Sequence, residues 1–257
     1  MVSVIIPTYN AEQYIKECLG SIIHQTYCEK EIIIIDGLST DTTVSIVEEF
    51  SLKFQYITYV SEKDVGIYDA MNKGIKKAKG EWVIFLGSDD KLYTNNILEE
   101  IFSKQENIVA DVLYGNVCSS MFREKYDGLF TARKLLDKNI CHQAIFFKRK
   151  VFRIVGNFSL KYKILADWEH NIRWFFDPKI THQYIDFIIC NYSEVGISST
   201  LVDNVFLNNK LKIYLRHAFF YIDKSFRREL LNKLIYSYHE SSLSKFFYKI
   251  LFHLSKI

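Results

Sequence analysis

The chain has 257 residues, enough for one large domain or a domain with an appendage. Apolar residues make up 49% and charged residues 25%, and only 2 prolines and 10 glycines occur, a balance that excludes long disordered linkers. Net charge is +3 but unevenly spread: residues 206–257 carry 10 Lys and Arg against 3 Asp and Glu, and the rest carries 23 against 27. The five cysteines are scattered without a CxxC pair, which points to reduced thiols rather than a disulfide framework or a zinc site. The opening MVSVIIPTYN lacks the basic n-region of a signal peptide, and no run of 18 uncharged apolar residues predicts a transmembrane helix.

In chain order, VSVIIP (2–7) reads as a buried strand and residues 11–25 as a helix. EIIIIDG (31–37) is a second strand, followed by a helix opened by STDTT. FQYITYV (54–60) is a third strand. The polar loop SEKDVG then precedes a helix around 68–79, and EWVIFLG (81–87) is a fourth strand. Continuously apolar strands alternating with helices predict an α/β fold, a mostly parallel sheet covered on both faces. The second half is less regular. VLYGNV (112–117) and AIFFK (144–148) read as strands, ILADWEHNIRWFF (164–176) as a helix, and ITHQYIDFIICNYS (180–193) as one or two strands. From about 206 the pattern is helical.

In doubly wound sheets ligands bind beyond the carboxyl ends of the strands. There the sequence places Thr8, Tyr9 and Asn10 after strand one, Asp36 after strand two, Glu62 and Asp64 after strand three, and Ser88-Asp89-Asp90 after strand four. The first junction, PTYNAEQY, has neither GxGxxG nor GxxxxGK[ST], which weighs against NAD-type and P-loop sites. A pyrophosphate without a glycine cradle needs another counter-charge, and a divalent cation on carboxylate supplies one; Mg²⁺ or Mn²⁺ takes only one or two protein oxygens there. Taken alone, GSDD is equally a solvated turn or a helix cap.

VSVIIPTYN, EIIIIDGLSTDTT, SEKDVGIYDAMNKGIKKAKGEWVIFLGSDD, CHQAIFFKRKVF and ADWEHNIRW occur in that order. Together they resemble the family 2 inverting glycosyltransferases of the GT-A fold, in the branch that builds bacterial surface polysaccharides, over roughly residues 1–200. The resemblance implies a GT-A domain over 1–205, with a nucleotide-sugar half (1–92) and an acceptor half (93–205), and a basic, aromatic helical tail over 206–257. It implies a nucleotide-sugar donor, UDP-linked first and GDP or dTDP after it, held by Thr8, Tyr9, Asp36, Asp64, Asn72 and Asp89. Asp90 becomes the ligand of Mn²⁺ or Mg²⁺, and Asp167 the base that deprotonates an acceptor hydroxyl. His142 and Trp168 fall on the acceptor or phosphate side. The chain departs from the family pattern where Gly37 stands for a common second acid, Met71 precedes Asn72 where many relatives carry Arg, Ser88 replaces the first acid of the DxD motif, and Ala166 replaces the Glu before the base. On an α-helix Asp167 and Glu169 lie roughly 200° apart, so they do not share one site.

The tail interleaves Lys and Arg with Phe, Tyr, Leu and Ile, the pattern of helices that lie on anionic membranes; the alternative is a helical pair covering the core. With a lipid-linked or saccharide acceptor implied, the expected setting is cytoplasmic, with peripheral contact on the inner face of the membrane and no nucleic acid partner. The competing readings are a nucleotidyltransferase and a degenerate, transferase-like scaffold in a membrane biosynthetic complex.

Overall fold

The computed structural model describes residues 1–103, 108–119, 125, 126, 128–193 and 202–237. The first half alternates β1 (Val2–Thr8), α1 (Ile15–Ile23), β2 (Lys30–Asp36), α2 (Thr43–Lys53), β3 (Ile57–Ser61), α3 (Ile67–Lys77) and β4 (Trp82–Phe85). The second half runs β5 (Lys91–Leu92), α4 (Ile97–Phe102), β6 (Val112–Cys118), α5 (Ala132–Asp137), a 3-10 turn (His142–Ala144), β7 (Ile145–Lys148), α6 (Lys150–Val155), α7 (Ala166–Phe175), β8 (His182–Asn191), α8 (Asn204–Ala218) and α9 (Lys224–Ser237).

One sheet holds all eight strands in the order β3-β2-β1-β4-β7-β6-β8-β5. β3, β2, β1 and β4 are parallel, as the alternating pattern predicts. β7 then enters antiparallel between β4 and β6, so the sheet is mixed. β8 is a single strand parallel to β6, with an irregularity at Asn116, and its end pairs antiparallel with β5.

Consecutive side chains of a strand point to opposite faces, so an unbroken apolar run feeds two cores at once. Ile5, Ile33, Ile35, Val83 and Phe85 face α3, α7, α8 and α9. Val4, Ile6, Ile32, Ile34, Trp82 and Ile84 face α1, α2 and α4. α1 starts at Ile15, later than the predicted residue 11, and β4 stops at Phe85 rather than Gly87. At α2 it is Asp41 that accepts the helix's first amide, Thr43 N–H at 3.0 Å.

The packing shows no break at residue 205. Asp203 caps α8 through Phe206 N–H at 2.9 Å and also accepts the amides of Ile164 and Leu165 at the entry to α7. Phe206, Tyr214, Phe226 and Leu230 are buried in the same core as Ile5 and Tyr68. The part of the tail within 206–237 therefore joins this core, with α8 packed on α7 and α5; residues 238–257 of the predicted tail lie outside the described residues.

α3 lies directly on β1. A Cβ built on Gly74 would come within 2.3 Å of the Ile5 side chain, which is fully buried. Gly74→Ala therefore overpacks the core and is expected to cost about 1–3 kcal/mol, measured as a lowered midpoint in thermal and denaturant unfolding.

Candidate active site

Thr8, Asp36 and Ser61 are side by side in the register at the carboxyl ends of β1, β2 and β3. Asp36 is 1% exposed and its carboxylate is pinned from three directions. Oδ2 accepts Ser61 Oγ–H at 2.6 Å and Ser39 N–H at 3.0 Å, and Oδ1 accepts the Ser39 hydroxyl. One lone-pair direction on Oδ1 remains for a ligand donor. Asn10, at φ 47°, ties the β1 and β2 turns together: its N–H donates to Ser39 Oγ at 2.8 Å and its side-chain oxygen accepts Thr40 N–H at 2.9 Å. Thr8 is buried and donates to Ile6 C=O, while Tyr9, just beyond the end of β1, is 62% exposed.

Asp64 fills the space that the absent side chain of residue 37 leaves. A Cβ on Gly37 would sit 2.6 Å from Asp64 Oδ2, and Gly66 N–H donates to Asp64 Oδ1 at 3.0 Å. The departure at Gly37 thus admits the acid of the β3–α3 loop beside Asp36.

After β4 the chain makes a tight turn, with Asp90 N–H donating to Gly87 C=O at 3.1 Å. Asp90 is 1% exposed. Gly87 N–H (3.0 Å) and Gln143 Nε2–H (2.9 Å) donate to its Oδ2, and Ser193 N–H (2.8 Å) donates to Oδ1. Burial, and next the charge of Asp89, push the Asp90 carboxyl up to about 6. Asp89 is partly exposed at the same turn. Two adjacent carboxylates that repel one another, with lone pairs left over and one of them open to solvent, are a donor set a hard divalent cation fits, since such an ion needs few protein oxygens when phosphate and water complete its shell. Among the described residues no group of three or more His, Cys, Asp and Glu encloses a metal by itself. Burial, reinforced by the acids of this turn, holds the thiols of Cys18 and Cys190 well above their usual range, so both stay protonated. None of the five cysteines forms a disulfide.

Asp167 sits in the first turn of α7, 6% exposed. Oδ1 accepts Tyr68 Oη–H at 2.8 Å, Oδ2 accepts Asn139 Nδ2–H at 2.7 Å, and His142 Nδ1 lies 3.4 Å from Oδ2. Asn171 Nδ2–H in turn fixes the Asn139 side-chain oxygen at 2.8 Å. Glu169 points elsewhere, paired with Arg173 at 2.9 Å, as the angular argument expects.

Two expected contacts lie differently. The Asn72 amide clamps the backbone of Phe158, donating to its C=O at 2.9 Å and accepting its N–H at 3.0 Å, so it joins the two halves of the chain rather than opening onto the crevice. Trp168 is 8% exposed, donates to Leu135 C=O at 2.8 Å and packs on Phe206, with Lys210 Nζ 4.5 Å from the ring centre. It faces α8, away from the acids.

Sequence reasoning missed Ser61, Tyr68, Asn139 and Ser193. Only Tyr68 carried a signal: it stands four residues before Asn72, on the same helix face. The His142–Ala144 turn joins the two acid sites, since Gln143 donates to Asp90 and His142 faces Asp167.

The strand-end acids Asp36 and Asp90 and the separate buried carboxylate Asp167 are thus carried on one mixed, helix-covered sheet of the GT-A kind. The profile of "Glycosyl transferase family 2" matches residues 3–171, and the chain belongs to that family. The "PGL/p-HBAD biosynthesis glycosyltransferase" of Mycobacterium bovis (strain BCG / Pasteur 1173P2) is 39% identical over 211 residues, 80% of this chain and 82% of that protein. Among solved structures, S. aureus TarS 1-349 in complex with UDP superposes with a TM-score of 0.71 at 20% identity, over 94% of this chain and 72% of that one. The "Mannosyltransferase PcManGT from Pyrobaculum calidifontis in complex with GDP-Man and Mn2+" gives 0.59 at 19% identity, over 84% and 62%.

Because φ at Gly37 is not in the left-handed region, alanine fits the backbone there and acts only by displacing the Asp64 carboxylate. Gly37→Ala is expected to weaken nucleotide-sugar binding about tenfold with an unchanged melting temperature of the free protein, read by calorimetric titration.

Proposed function

We propose that the protein is an inverting glycosyltransferase that moves a sugar from a UDP-linked donor to a hydroxyl of a lipid-linked or saccharide acceptor, in building a surface polysaccharide or glycolipid. The observation that carries this reading is Asp167: a carboxylate held by three side chains, joined through one turn of chain to the acids at the end of β4. The relative's biosynthetic name and the UDP in TarS support the acceptor and donor classes.

In this reading Asp36, Asp64 and Thr8 line the base and ribose side, with Tyr9 over its edge, and Asp89 faces the ribose or the metal. Mn²⁺ or Mg²⁺ would be held by Asp90 with Asp89, and when bound supplies the positive charge that stabilises the leaving diphosphate. Asp167 takes the proton of the acceptor hydroxyl as that oxygen attacks the anomeric carbon. The bond to the diphosphate breaks on the opposite side, so the configuration inverts. Tyr68 and Asn139 fix the carboxylate in one orientation, which holds the base ready for the incoming hydroxyl. Neither a nucleotidyltransferase nor a scaffold reading gains support: the first lacks its phosphate loop, and the second leaves these pinned carboxylates without a use.

No helix among the described residues is long and apolar enough to cross a membrane. The turn between α8 and α9 offers a peripheral contact instead. Phe220 is 85% exposed and Tyr221 52% exposed there, with Lys224, Arg227 and Arg228 within the next helical turn. An exposed aromatic pair with basic residues following it in sequence suits an anionic lipid surface.

Thermal-shift screening of nucleotide sugars with Mn²⁺ identifies the donor as the one that stabilises the fold. With that donor, Asp167→Asn is expected to retain binding and lose transfer by about 10²–10⁴; near-normal turnover removes Asp167 as the base. Flotation with vesicles containing anionic lipid should recover the wild-type chain, and Phe220→Ser should reduce that recovery several-fold. Equal recovery of both removes the proposed contact. Truncation at 205 is unsuitable for this comparison, since α8 belongs to the core.

A further inference from the structure

The Tyr68 hydroxyl has one hydrogen and two acceptors. Its Oη is 2.8 Å from Asp167 Oδ1 and 2.5 Å from the Ile164 carbonyl oxygen. Both are within hydrogen-bonding range, and a phenol donates only once. The ring itself is fixed: Tyr68 is 5% exposed and packs against Phe158 with centroids 5.5 Å apart. Only rotation about the C–O bond is left to it.

The two acceptors are unlike. The Asp167 carboxylate is charged, and hydrogen bonds to a charged acceptor are about twice as strong as those to a neutral carbonyl. The Ile164 carbonyl lies just before α7, and the next residue's amide is already taken by Asp203. Once the acceptor hydroxyl has handed its proton to Asp167, Oδ1 is a neutral oxygen and the advantage over Ile164 disappears.

We infer that the Tyr68 hydroxyl is a two-position donor that follows the charge on Asp167: it donates to Oδ1 while the carboxylate is ionised and turns to the Ile164 carbonyl when the carboxyl group holds a proton. The transferred proton comes from the acceptor and ends on Asp167; Tyr68 keeps its own throughout. Burial, and then the nearby Asp167 charge, hold the phenol well above its ordinary range, which keeps it a donor and never a base. Tyr68 is thus a positioning residue. Before transfer it holds the base in one orientation. After transfer the hydroxyl still has an acceptor, because the Ile164 carbonyl receives the hydrogen that Asp167 no longer holds as strongly.

The groups facing Asp167 are Tyr68 from α3, Asn139 ahead of the His142–Ala144 turn, and His142 within it. Asp203, at the start of α8, faces Tyr68 electrostatically. The Asn139 and His142 contacts are both to Oδ2, so the hydroxyl alone responds at Oδ1.

The inference takes its catalytic meaning from Asp167 acting as base, but its test needs no substrate. Selective ¹³C′-Ile, ¹⁵N-Leu labelling of the full chain resolves the Ile164–Leu165 peptide, assigned with Leu165→Met. In Asp167→Asn at neutral pH the Ile164 carbonyl carbon is expected to shift downfield from wild type, because the hydroxyl has turned to it. Tyr68→Phe should leave it at the wild-type position, and the double variant should cancel the downfield shift. Should the Asn variant misfold, acidification of the wild-type chain replaces it, with the same downfield movement expected as the carboxyl group takes up a proton. A carbonyl that stays put in Asp167→Asn or on acidification, or that moves in Tyr68→Phe alone, overturns the inference. Transfer activity of Asp167→Asn is a separate measurement, so a failed base assignment and a failed two-position donor give different results.

Discussion

The antiparallel pairing of β7 against β4 is the constraint on which the site depends. Trp82 lies opposite Lys148 and Val83 opposite Phe147, so β7 runs away from the crevice that β4 runs toward. The segment just before β7 must therefore lie at the carboxyl end of β4, where Gly87, Asp89 and Asp90 turn. That segment carries Asn139, His142 and Gln143. Gln143 donates to Asp90, and Asn139 and His142 meet Asp167. One strand pairing thus places Asp90 and Asp167 against opposite flanks of the same turn. Had β7 joined parallel, the same residues would sit at the far edge of the sheet.

Burial sets the chemistry of the two acids apart. Asp90 sits under the turn with Asp89 beside it, and desolvation together with that neighbour raises its carboxyl to about 6. A buried charge of this kind invites a counter-charge from a ligand. Asp167 is buried too, but its neighbours are a phenol, an amide and an imidazole, which cradle it without a permanent opposite charge. The scaffold behind both is the alternation of the apolar strands: Ile5 and Phe85 support α3 and α7 on one face, and Ile6 and Ile84 support α1 on the other.

Much of this was legible in the residues. The β1–β4 half follows from apolar runs and helical spacing, and Asp36, Asp64 and the GSDD turn were found because strand ends in a parallel sheet are where ligands sit. What was not legible is contact across long separations. The resemblance put Asn72 on the nucleotide-sugar side; only the fold reveals that Phe158, 86 residues later, takes both ends of its amide. Trp168 adjoins Asp167 in sequence, yet one step along a helix turns a side chain by roughly 100°, and that step sends it to Phe206. Ser61 and Ser193 stand out only through strand register and tertiary approach, neither of which a local pattern contains. The tail was read from its charge, while its apolar face, with Phe206, Tyr214 and Leu230, decides where its described part lies.

The Asn72–Phe158 clamp also bears on how such a chain can be recombined. Donor and acceptor recognition look separable in sequence, and a graft at residue 92 is the obvious way to give the first half a new acceptor. Yet the clamp, the Tyr68–Asp167 bond and the Gln143–Asp90 bond all cross that line. A foreign second half has to bring a backbone at position 158, a carboxylate at 167 and an amide at 143 that meet partners it did not diverge with. The halves therefore travel as a matched pair.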